Sequence, residues 1–132
     1  MKYIVLLRGI NISGKNKIAM SELKNSLESN NYSDVITYLN SGNVILNSDN
    51  NKEYIVNDIK TLIKKEFNLD IPVYVIEHLE LKDTLEHNPN WWGTNNKEIY
   101  DNIIFVMPPI ITKDVFDSIG EPSKDIDKVQ EY

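Results

Sequence analysis

Two short polar stretches, each containing glycine, hold the side chains best suited to chemistry. The first is Gly9-Ile10-Asn11-Ile12-Ser13-Gly14-Lys15-Asn16-Lys17, preceded by Arg8; the second is Asn40-Ser41-Gly42-Asn43. Arg8, Lys15 and Lys17 carry three positive charges with no acid among them, which leaves a charge of −9 for the rest of a chain whose net charge is −6. A guanidinium fork, two ammonium groups and glycine-exposed backbone N–H groups just ahead of a helix all favour a phosphate or carboxylate. The candidate ligand-binding residues are therefore Arg8, Gly9, Asn11, Gly14, Lys15, Lys17, Ser41, Gly42 and Asn43. A blander reading stands beside this one: the glycines only bend a loop and a hairpin, and the lysines are solvated surface.

Other constellations are weaker. Gly9 to Lys15 fits G-x-x-x-x-G-K after a strand, but Asn16 stands where a magnesium-holding Ser or Thr belongs. The following helix also starts too late for a P-loop. His78 and His87 are the only histidines, and nine residues apart they would lie on opposite sides of one helix, so no metal site is expected. No cofactor is indicated. Ser13 and Ser41 have no histidine beside them in sequence to act as a base, which favours binding over catalysis. Trp91-Trp92, next to Asn-Pro and Gly, reads as a pin for a loop, with a stacking platform as the alternative.

The elements that must position the polar stretches follow from periodicity. Residues 2 to 8 alternate apolar side chains on both faces, which predicts a first strand buried on both sides. Met20, Leu23 and Leu27 recur at helical spacing, with Glu22 in the first turn. Val35 to Leu39 and Asn43 to Leu46 are β-type runs around an Asn-Ser-Gly turn, a hairpin signal. Asn50 with Glu53 reads as a capping box, followed by the stripe Ile55, Ile59, Leu62, Ile63 and Phe67. Val73 to Ile76 is a fourth strand.

This order, βαββαβ, is that of a split βαβ or ferredoxin-like plait over residues 1–76. In that arrangement the end of strand one, the turn between strands two and three, and the entry to strand four share one edge. Arg8 to Asn11 would then lie beside Asn40 to Asn43. The connection from Gly9 to Ala19, about 11 residues, is also longer than the 2 to 6 usual for such loops. Residues 77–132 read as a partial second α/β subdomain: a helix over Leu79 to Glu86, a loop from Asn88 to Gly93, a strand over Asn102 to Met107, a short helix over Thr112 to Ile119, and a tail from Asp125 to Tyr132 without pattern. Because the sheet is apolar on both faces, this second part is expected to cover the face the helices leave open.

Bulk properties narrow the function classes. A chain of 132 residues with 41% hydrophobic and 26% charged residues can bury a core. The absence of cysteine removes disulfides and thiol chemistry and fits a reducing, cytoplasmic setting. Met1 to Arg8 reads as a strand rather than a signal peptide, and no run approaches the roughly 20 apolar residues of a membrane helix. The acidic balance argues against nucleic acid as a partner. Oligomeric state is not encoded in any pattern found.

Taken together, Tyr3-Ile4-Val5-Leu6-Leu7-Arg8-Gly9-Ile10-Asn11, Gly14-Lys15-Asn16-Lys17-Ile18, Met20-Ser21-Glu22-Leu23 and Thr37-Tyr38-Leu39-Asn40-Ser41-Gly42-Asn43-Val44 resemble the bacterial domain-of-unknown-function 1697 family. The likeness is specific over the first half and looser from Asn88-Pro89 to Phe105. It implies an α+β fold with two related subdomains in a cytoplasmic bacterial protein, and no activity. It also implies a further segment rich in Arg, Asn and Trp beyond Tyr132, so that the second subdomain here would be incomplete. The leading functional expectation is a module binding a phosphorylated or carboxylated small molecule. The alternatives are group transfer or hydrolysis on such a ligand, and protein interaction through an exposed sheet face.

Overall fold

The computed structural model describes residues 1–93, 102–107, 110 and 112–119. The chain divides into two compact units, Met1–Lys82 and Asp83–Tyr132. The first unit is α+β. Its strands are β1 (Lys2–Leu7), β2 (Ser33–Tyr38), β3 (Asn43–Asn47) and β4 (Val73–Glu77); α1 (Met20–Ser29) joins β1 to β2 and α2 (Lys52–Phe67) joins β3 to β4. The sheet has four strands in the order β2-β3-β1-β4, with every neighbouring pair antiparallel.

Strand β1 is central and sets the register. Val5 lies opposite both Val44 of β3 and Val75 of β4, and Tyr3 and Leu7 share its face. Against that face pack Leu23 and Leu27 of α1 and Ile55, Ile59, Leu62 and Ile63 of α2, all buried. Burial is one-sided, however. Ile4 and Leu6, expected to be as buried as their neighbours, are only half-buried, because both helices lie over the odd-numbered side chains of β1. The row Ile36–Ile45–Ile4–Ile76 crosses all four strands on the opposite face. It runs from 57% exposure at Ile36, on the β2 edge, to 6% at Ile76.

Local chemistry explains the element ends, with one correction. The cap of α2 is Asn51, whose Oδ1 accepts from Tyr54 N at 2.8 Å, and not Asn50. Asn50 is committed elsewhere, since its carbonyl accepts the Tyr3 hydroxyl at 2.8 Å and its N–H donates to Ser48 Oγ at 3.1 Å. At the other end Asn68 adopts φ 54°, the left-handed conformation that closes a helix, and its N–H returns to Lys64 O. Early in β2, Asp34 at φ 50° accompanies a register irregularity between Ser33 and Ile36, and Asn47 Nδ2 donates to its carboxylate at 2.6 Å. Buried Tyr32 donates its hydroxyl to Asp58 at 2.6 Å, tying α2 to the segment ahead of β2.

Helix α3 (His78–Glu86) follows β4 directly. Glu80 receives Glu77 N at 3.1 Å and is bridged by Lys52 Nζ at 2.9 Å. In the second unit, Trp92 N donates to Pro89 O at 3.0 Å, closing the loop before Gly93. The Trp91 and Trp92 rings are half-buried, 6.4 Å apart and tilted by 53°, so they do not form a parallel stacking platform. Helix α4 (Thr112–Ile119) forms where its sequence predicts. Asn102 to Met107, expected to be a strand, forms no ladder among the described residues. The tail Asp125 to Tyr132 lies outside the described residues.

Candidate functional site

The register places the sequence-distant polar stretches together. Leu6 pairs with Asn43 and Leu7 with Val73, so the connection after β1, the β2–β3 turn and the entry to β4 emerge at one edge. Leu7 N donates to Gly42 O at 2.8 Å and Arg8 N to Pro72 O at 3.1 Å. The edge is thus sewn together by main chain before any side chain contributes.

The long connection is itself folded into a small hairpin. Ile12 and Lys15 exchange two backbone bonds, of 3.2 and 2.8 Å, and Asn11 N donates to Asn16 O at 3.0 Å. The central pair, Ser13 at φ 50° and Gly14 at φ 76°, has the two positive φ values of a type I′ turn. The P-loop geometry is therefore absent: the Gly-Lys pair sits in a tight β-type turn, α1 begins only at Met20, and the sheet is antiparallel.

Asparagines hold this loop in place. Asn11 Oδ1 accepts from Ile18 N at 2.8 Å, while its Nδ2 donates to Ile18 O at 2.9 Å and to Asn40 O at 2.7 Å. Both amide hydrogens are used, so Asn11 acts as the latch between loop and hairpin and has no hydrogen left for a ligand. Asn16 Nδ2 donates to Gly9 O at 2.9 Å. Asn43 Nδ2 donates to Tyr38 O and to Ser41 Oγ, both at 2.9 Å, and fixes the turn. Gly42, at φ 95°, is buried. A Cβ there would stand 2.7 Å from Leu7 Cβ and 3.0 Å from Ile10 Cδ1.

An open depression of about 450 Å³ lies between loop and turn, lined by Asn11, Gly14, Lys17, Ile18, Ala19 and Asn40. Of the nine candidate residues, Asn11, Gly14 and Lys17 line it. Gly9, Ser41, Gly42 and Asn43 shape the surrounding backbone, and Arg8 and Lys15 are exposed on the same loop outside the lining. Arg8, Lys15 and Lys17 make no ion pair among the described residues. Ala19 and Asn40 were not among the candidates. Ala19 is the cap residue of α1, and its methyl group cannot accept a hydrogen bond, so the first-turn N–H groups have no acceptor from that side chain. A missing Ser, Thr, Asp or Asn just before the Met20, Leu23, Leu27 stripe was the signal available in the sequence. Two exposed acids belong to the segments at this edge, Asp70 in the entry to β4 and Glu22 in the first turn of α1.

Among the described residues no cluster of His, Asp or Glu could hold a metal ion, and no helix is long and apolar enough to cross a membrane. His78 is exposed in α3, and His87, in the second unit, meets Asp83 within one helical turn, with Nδ1 2.8 Å from its carbonyl oxygen.

Fold and site define an α+β protein with a polar loop cluster at one edge of a four-stranded antiparallel sheet. The chain belongs to the family described as "Protein of unknown function (DUF1697)", whose model matches residues 1–132. It is similar to the solved structure of a conserved bacterial protein, SP0830 from Streptococcus pneumoniae, at 26% identity and a TM-score of 0.74. That similarity covers 89% of this chain and 64% of the other, so the chain spans under two thirds of that protein's length. No curated protein matches it.

Proposed function

We propose that the first unit, a ferredoxin-like plait by its strand order, is a binding module for a phosphate- or carboxylate-bearing ligand. The ligand sits in the depression between the 8–17 loop and the 40–43 turn. The observation that carries this reading is the convergence there of Lys17, Gly14 and Ala19, the cap residue of α1, with Arg8 and Lys15 unpaired on the same loop. Charged ligand groups gain most from cations that no internal carboxylate already satisfies. Asn11 and Asn43 serve by holding the loop and turn in position rather than by touching the ligand. Hydrolysis has less support, because neither Ser13 nor Ser41 has a histidine beside it in sequence to act as a base.

The test is a thermal-shift titration at low salt with inorganic phosphate, citrate and nucleoside monophosphates, using wild type and an Arg8→Ala/Lys17→Ala variant. At about 100 times its dissociation constant a ligand adds about 2.7 kcal/mol of stability. A rise in Tm confined to wild type supports the reading. Equal responses, or none to any of these anions, overturn it.

A further inference from the structure

Resting on that anion-site reading, we propose that the anion is presented by another protein: the edge docks an acidic peptide segment whose carboxylate is flanked by apolar side chains. The evidence is a set of apolar groups that the fold leaves in water around the cations. Ile12 is 58% exposed, Tyr38 65% and Leu39 63%. Ile12 and Leu39 are the chain neighbours of Asn11 and Asn40, whose 2.7 Å bond joins the two loop tips. Covalent geometry then keeps their Cα atoms within roughly 17 Å of each other. Single exposed apolar residues are ordinary, but here Ile12 stands on one of two joined tips and the Tyr38-Leu39 pair leads into the other.

Two details set this patch apart from chance exposure. Ile12 and Lys15 are a directly opposed pair in the small hairpin, so an apolar and a cationic side chain project from the same face. Leu39 holds φ 59°, a conformation suited to Gly or Asn, although its side chain is mostly in water. A leucine strained in its backbone and unrewarded by packing is better accounted for by a contact outside the chain.

Charge decides what makes the contact. The 8–17 loop carries three cations, residues 35–48 carry no charged side chain, and Asp70 is the lone acid of the entry to β4. A free phosphate or citrate would leave Ile12 and Leu39 wet. A polynucleotide would find a single stacking plane, Tyr38, beside aliphatic Ile12 and Leu39, and would meet the −9 of the remaining chain. An acidic segment carrying Leu, Ile or Phe satisfies both halves of the surface: cations pair with its carboxylates and the tips bury its apolar groups.

The experiment pans a random peptide library displayed on phage against the full chain, with an Ile12→Ser/Leu39→Asn variant and a Lys17→Gln variant as counter-targets. Asn suits the backbone at position 39, so the double variant should keep or exceed the wild-type Tm, which is measured first. Selected peptides are then tested by fluorescence anisotropy, alongside thermal-shift titration with phosphate and citrate and an oligo(U) control. The expected result is selection of peptides combining Asp or Glu with Leu, Ile or Phe, bound at least about tenfold more weakly by either variant, with phosphate or citrate binding unchanged in Ile12→Ser/Leu39→Asn. If phosphate or citrate binds but no peptide is selected, or selected peptides bind the double variant equally, the docking proposal falls while the anion site stands. If neither anion nor peptide binds, both fall. Tighter binding of oligo(U) than of any peptide also overturns the proposal.

Discussion

The carboxamide of Asn11 donates to the carbonyl of Asn40 at 2.7 Å, joining two loops 29 residues apart in sequence, while the same side chain brackets both the N–H and the carbonyl of Ile18. One asparagine thus holds three backbone groups from two loops, and it borders the depression proposed to take an anion.

Asn11→Ala leaves the N–H of buried Ile18 without the acceptor it uses and frees the turn carbonyl. An unsatisfied group of this kind costs about 1–3 kcal/mol. We expect urea denaturation to show a loss of that size, and faster amide exchange at Ile18 than in β1. Equal exchange in variant and wild type would remove Asn11 from its role as latch.

Gly42→Ala places a methyl group 2.7 Å from Leu7 Cβ in a backbone at φ 95°. Crowding and the positive φ each cost about 1–2 kcal/mol or more. A loss of about 2–4 kcal/mol in chemical denaturation is expected, with ligand binding reduced because the turn must move. Gly14→Ala is the contrast: the nearest contact to a Cβ there is Lys17 Cε at 3.9 Å, so only the backbone term applies and the loss should be smaller.

Tyr32→Phe removes the bond to Asp58 and should cost about 1–2 kcal/mol at neutral pH. Burial first, and then the Asp58 bond, raise the phenol above its ordinary value of 10.0. The folded state therefore holds this proton more tightly than the unfolded chain. The resulting stability is fully present below about pH 10 and is lost as pH rises further. The advantage of wild type over the variant, followed by denaturation between pH 8 and 11 or so, should shrink only at the alkaline end.

Glu80→Gln probes the junction of β4 and α3. The Lys52 bond, together with the Glu77 N–H, holds the Glu80 carboxyl below its ordinary 4.5 against the opposing effect of burial. That contribution is present above about 4.5 and disappears as pH falls below it. Both partners are over 40% exposed, at 42% and 46%, so solvent and salt screen the pair and the loss at pH 7 should stay under about 1 kcal/mol. A larger loss, or one indifferent to added salt, would mean that Glu80 acts mainly through the backbone of Glu77.

The sequence by itself determined the order of elements in the first unit. Each of those elements is specified by contacts a few residues apart: the Leu23, Leu27 and Ile55, Ile59, Ile63 spacings, the alternation in β1, and the Gly in the 39–42 turn. It also pointed to the edge where Arg8 to Lys17 would meet Asn40 to Asn43, because strand order follows from that sequence of elements. Only the tertiary structure decided which asparagine does what. Asn caps, latches and turn locks share one composition, and Asn50, Asn51, Asn11 and Asn43 part ways only when a carbonyl, a hydroxyl or a backbone N–H comes within 3 Å of one and not of another. The one-sided burial of β1 was equally out of reach. It depends on which helix face arrives from elsewhere in the chain, and local sequence carries no record of that.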